Sequence, residues 1–150
     1  MRIYLPATIG DLRSAEGLSP RGAHALTGAL REVLGGADDE AGEFQAMLTA
    51  ADACVDLLRE RPAEPPVRVV VAADIDGAAH DRAGGPSAVH APAVPWAKVV
   101  SFHVDDPDDA AAHGLVRRAA DGDAEAGARV EELDLLWFDV TERDLLTNRW

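Results

Sequence analysis

The chain has a single cysteine, Cys54, and a single lysine, Lys98, among its 150 residues. One cysteine excludes an intrachain disulfide and a cysteine-rich zinc site. Its spacing from Met47, Ala51 and Leu58 places it on a helical stripe that reads as core. No apolar run approaches membrane-spanning length, and Met1–Pro6 lacks the apolar core of a secretion signal. The expectation is a soluble, cytoplasmic protein. Basic clusters are also missing: the longest is the pair Arg117-Arg118, against a net charge of −13. Nucleic-acid phosphates and anionic lipid heads need a basic footprint, so both are poor partners for this surface. There is no Gly-x-Ser-x-Gly, no phosphate loop and no Gly-x-Gly-x-x-Gly, so no cofactor is expected.

What is present is a separation of acidic from apolar residues. Val69–Val71, Val99–Val104 and Leu135–Val140 are apolar runs of strand length. Between them, Asp38-Asp39-Glu40, Asp105–Asp109 and Glu131-Glu132 fall where turns and helix ends belong. The length suits one domain, residues 1–150, large enough for a core of its own.

Alternation makes Arg2–Ala7 a first strand, with Ile3 and Leu5 on one face and Arg2 and Tyr4 on the other. A helix is expected over Ala23–Leu34 and a longer one over Asp39–Arg61, which Pro62, Pro65 and Pro66 end. In the longer one Phe44, Met47, Leu48, Ala51, Val55 and Leu58 form the apolar stripe. Strands follow at Val67–Asp74, Ser87–Ala91 and Lys98–Val104. Asp106 reads as the N-cap of a helix reaching Ala120, Gly122 breaks it, and a second piece covers Asp123–Leu133. Leu135–Val140 is the last strand, and Thr141–Asp144 resembles a capping box. This order predicts an α+β fold: an open mixed or antiparallel sheet with helices mainly on one face. It is the ferredoxin-like βαββαβ order with an enlarged first crossover, Arg2–Ala7 and Lys98–Val104 being central.

Two candidate sites follow. Ile3, Leu5, Val100, Phe102, Val104, Leu136, Phe138 and Val140 should face the helices. Arg2, Tyr4, Arg68, His103 and Trp137 then lie on the opposite, open face, where Tyr, Trp and Arg make good interface anchors. That face would bind a protein partner or a second copy, without catalysis. A covering helix would instead make Trp137 core. The alternative is a small metal-dependent hydrolase using His103, Asp105 and Asp106 with Asp139, since carboxylates and imidazole suit a divalent cation. Asp139 ends the last strand, which is expected to run parallel to Lys98–Val104 and so to finish at the same end as Asp105. An antiparallel pairing of Val67–Asp74 with Lys98–Val104 would hold Asp74 away from Asp105.

The runs Arg-Ile-Tyr-Leu-Pro-Ala-Thr at 2–8, Val-Val-Val-Ala-Ala-Asp at 69–74, His-Val-Asp-Asp at 103–106 and Leu-Leu-Trp-Phe-Asp at 135–139 together resemble an uncharacterised family of short acidic actinobacterial proteins. The resemblance implies a bacterial, cytoplasmic, single-domain protein. It implies no activity and supplies no catalytic residues.

Overall fold

In the computed structural model, which describes residues 1–150, seven strands form one open antiparallel sheet. In chain order they are β1 (Arg2–Ala7), β2 (Arg21–Ala25), β3 (Val69–Asp74), β4 (Ala79–His80), β5 (Ala88–Ala91), β6 (Val99–Asp105) and β7 (Leu135–Asp139). Their spatial order is β4-β5-β2-β1-β3-β6-β7. The helices are α1 (Ile9–Leu12), α2 (Gly28–Leu34), α3 (Asp39–Glu60), α4 (Ala110–Ala120), α5 (Ala124–Glu131) and α6 (Arg143–Thr147).

This corrects the ferredoxin-like arrangement. β3 lies between β1 and β6, so β1 is central but β6 is one strand from the edge. The added strand β2 arises where a helix is predicted over Ala23–Leu34. Ala23 and Ala25 alternate with Gly22 and His24 between buried and more exposed positions, and pairing with β1 and β5 holds the segment extended. The helix starts only at Gly28, where the Thr27 side chain caps the Leu30 N–H.

Helices lie on both faces. On one, Ile3, Leu5, Val69, Val71, Phe102 and Val104 pack against Ile9 and Leu12 of α1, Leu146 of α6, and the Leu18 and Val94 segments. Leu18 and Val94 form an isolated bridge beside Gly17. There φ is +117° and a Cβ would fall 2.1 Å from the Val94 carbonyl oxygen, so glycine is required. On the other face α3 covers Tyr4, Val70 and Ala72. The long helix therefore lies on the face expected to be open.

The stripe of α3 is also rotated from the expected one. Ala46, Met47, Ala50, Ala51, Cys54 and Leu58 are buried, while Phe44 is 57% exposed. Small side chains let the helix approach the strands closely. Val55 instead packs with Leu58, Val116, Ala120, Ala126 and Val130, in the cluster α3 shares with α4 and α5. A register shift between Ala72 and Ala73 turns Val99 into the core in place of Val100. Asp109, not Asp106, caps α4 through the Ala112 N–H. The capping box near the C-terminus is formed by Asp139 and Glu142 rather than at Thr141–Asp144.

Candidate functional site

β6 and β7 pair antiparallel, with His103 opposite Trp137 and Asp105 opposite Leu135. Alternation then puts Tyr4, Val70, His103, Leu135 and Trp137 on the α3 side of the sheet. These are the predicted face residues, and the structure treats them differently. Tyr4 is buried beneath α3, its hydroxyl 3.5 Å from Glu43 Oε2; burial and then the Glu43 charge raise its pKa. The His103 ring meets Tyr4 edge-on, with centroids 6.4 Å apart. Burial, followed by the charge of Arg2, lowers the His103 pKa and favours the neutral imidazole.

Neither arginine is a free cation. Arg2 forks onto Asp74, Nε to Oδ1 at 2.7 Å and Nη2 to Oδ2 at 3.1 Å, and this bond holds the Asp74 carboxyl below its ordinary range. Arg68 is internal, 3% exposed, and bonds Asp105, itself 1% exposed, with Nη2 at 2.6 Å from Oδ1. The same guanidinium donates to the Leu133 carbonyl, and the Arg68 backbone N–H donates to Asp105 Oδ2. Arg68 thus fastens β3 to β6 and to the turn before β7. It belongs to no open face.

Trp137 alone of the five is well exposed, at 59%. The covering helix buries Tyr4 but stops short of Trp137. Leu136 beside it is 41% exposed. β7 is an outer strand, and the backbone of Leu135–Phe138 makes no hydrogen bond outside its ladder with β6. Apolar exposure of Phe44 and Leu48 on α3 continues this side, on the helix flank that carries Asp52, Val55 and Arg59. Further along that flank Arg59 Nε donates to the Ala120 carbonyl and so joins α4. Sequence reasoning assigned Phe44 and Leu48 to the core; an alanine-rich stripe at 46, 50 and 51 was the signal against it.

The metal candidates are not brought together. Asp105 is committed to Arg68. Asp106 Oδ1 accepts the Asp108 N–H, and its carbonyl lies 2.9 Å from His113 Nε2. Asp139 lies opposite Ser101, four residues along β6 from Asp105 and so about 13 Å away. β7 runs antiparallel to β6, which overturns the parallel arrangement that would have joined Asp139 to His103 and Asp105. No three His, Cys, Asp or Glu side chains are grouped to hold a metal ion.

Sequence reasoning missed one cleft, of about 400 Å³, between the second half of α3 and strands β2 and β5. Gly22, His24, Asp56, Glu60 and Asp81 line it. His24 Nδ1 lies 2.9 Å from Ser87 Oγ, and burial lowers the His24 pKa. The cationic side chains at this cleft, Arg21 and Arg61, are both bound to Asp11. Burial of Asp11 disfavours its charge, but these arginines and the Thr8 N–H outweigh that and keep its pKa low.

A seven-stranded antiparallel sheet with helices on both faces and an aromatic residue on one bare edge describes a small α+β domain. The chain belongs to a family of unknown function, DUF6912, whose model matches residues 1–147. No curated protein and no solved structure matches it. No helix is long and apolar enough to cross a membrane.

Proposed function

We propose that this is a non-catalytic protein-interaction domain that engages its partner through Trp137 and the outer strand β7. One observation carries the reading: Trp137 is 59% exposed and, with its sequence neighbour Leu136 at 41% on the opposite face, is mounted on a strand whose outer edge is unpaired. Tryptophan offers a large, rigid contact area, and such residues dominate binding energy where they become desolvated. The β6 ladder holds the strand in place, so little ordering entropy is lost on docking.

Further support comes from the three carboxylates among the hydrolase candidates, each of which has another occupation. Asp105 neutralises Arg68, Asp106 shapes a turn, and Asp139 accepts the Thr141 N–H at 2.9 Å. The test is Trp137→Ala, measured by sedimentation and by capture of partners from the native host. Captured species or self-association should be lost while stability stays within about 0.5 kcal/mol of wild type, as for an exposed side chain. Unchanged capture and unchanged oligomeric state would place the interface elsewhere.

A further inference from the structure

The two edges of the sheet are built differently. β4 presents only two residues, Ala79–His80, too short to template another strand. β7 presents five, Leu135–Asp139, with no proline, no lysine and no shift in its register with β6. Proteins usually blunt such an edge, because its outward N–H and C=O groups pair readily with any extended chain. Here no proline, lysine or bulge interrupts the strand that also carries Trp137. Unpaired backbone groups select the shape of an occupant: an extended segment.

Charge selects its chemistry. Glu131, Glu132 and Asp134 precede the strand, Asp139 ends it, and Glu142 and Asp144 follow it. None of these six forms an ion pair. Between Arg129 and Asp144 the only other cation is Arg143, which is packed over the Trp96 ring at 4.3 Å and donates to the Ser14 carbonyl. A second copy of this chain fits poorly. Two β7 strands paired antiparallel about Trp137 would bring the acidic end of each against the acidic start of the other, between molecules of net charge −13.

We infer that β7 takes an extended basic segment of a partner protein as an eighth strand. Alternate side chains of that segment would cover Trp137 on the α3 side, the intervening ones would lie beside Leu136 on the other face, and its Arg or Lys residues would meet the carboxylates at either end. This rests on the reading of Trp137 given above and adds the partner's conformation and charge.

The test uses the whole chain and three synthetic peptides of about ten residues each: alternating Arg-Val, alternating Glu-Val, and alternating Arg-Pro. Proline keeps the charge but removes the N–H groups a ladder needs. Calorimetry should find Arg-Val at least about tenfold tighter than either control, weakening as salt rises. Amide exchange on β7 should slow in that complex alone. Leu136→Lys combined with Trp137→Lys should abolish the difference. If Arg-Pro binds as well as Arg-Val, the strand geometry is wrong; if Glu-Val does, the charge argument is wrong. Neither result touches the role of Trp137. Should no peptide bind while the free protein dimerises, and Trp137→Ala make it monomeric, the occupant is a second copy and the inference falls. Should no peptide bind and Trp137→Ala change nothing, both the inference and the reading beneath it fall.

Discussion

Arg68 and Asp105 bind each other inside the protein, the guanidinium reaching both carboxylate oxygens at 3.2 Å or less. They join β3 to β6 at the end of the sheet where α4 departs. No buried polar side-chain atom lacks a partner. Removing one member would strand a charge with no water to replace its partner. Asp105→Ala should therefore cost about 3–5 kcal/mol in chemical denaturation, and Arg68→Met with Asp105→Leu should recover part of that loss. A cost below about 1 kcal/mol for Asp105→Ala would mean that water reaches the pair.

Phe102 and Phe44 make a sharp contrast. Phe102 is fully buried in the larger core, beneath the edge of the Trp96 ring at 6.2 Å. Phe102→Ala should lose about 3–5 kcal/mol through lost transfer energy and the cavity left. Phe44→Ala, at a mostly exposed position, should lose less than about 1 kcal/mol. Equal losses in thermal melts would contradict the rotation of α3.

Helix α4 offers a test of capping. Asp109→Ala should cost about 0.5–2 kcal/mol and Asp109→Asn much less, because an amide oxygen also accepts the Ala112 N–H. Asp106→Ala loses only a local turn bond and should be the milder change.

Stability should fall on mild acidification. Burial depresses the pKa of His24, and burial together with the charge of Arg2 depresses that of His103. Below about pH 6.5 the unfolded chain takes up protons that the folded chain resists, so folding is disfavoured. The contribution is full above that pH and is lost as pH drops through the folded values. Asp52 acts in the opposite sense, its pKa raised by burial and then by Glu131, but over the lower carboxylate range. Melting temperature should decline from about pH 7.5 to about pH 5.5, and His103→Gln should flatten the slope. An unaltered slope in both His103→Gln and His24→Gln would assign the effect to other groups.

The runs Val69–Val71 and Leu135–Phe138 were legible as strands because their composition leaves few alternatives. Strand β2 was not: Arg-Gly-Ala-His-Ala has no β-branched or aromatic residue, and only its neighbours β1 and β5 make it a strand. The face of the sheet under α3 was misread for a related reason. Apolar size favoured the Phe44 side of that helix, whereas close packing on strands favoured its alanines. Trp137 is exposed as the open-face reading expects, but Arg2 and Arg68 were read as free charges. Their partners Asp74 and Asp105 are 72 and 37 residues away in sequence, and no local pattern announces such pairs.

Cys54 ends its side chain against the Val69 carbonyl, 3.1 Å away, and burial pushes its pKa up to about 12. A thiol so placed reacts only after α3 has lifted from β3, since the thiolate is the attacking species and it is absent while the helix is down. The chain thus carries a single chemical clock at its centre. The rate at which an alkylating reagent consumes the thiol counts how often the long helix detaches. Comparing that rate with global unfolding would tell whether the helix and the sheet separate together or in turn.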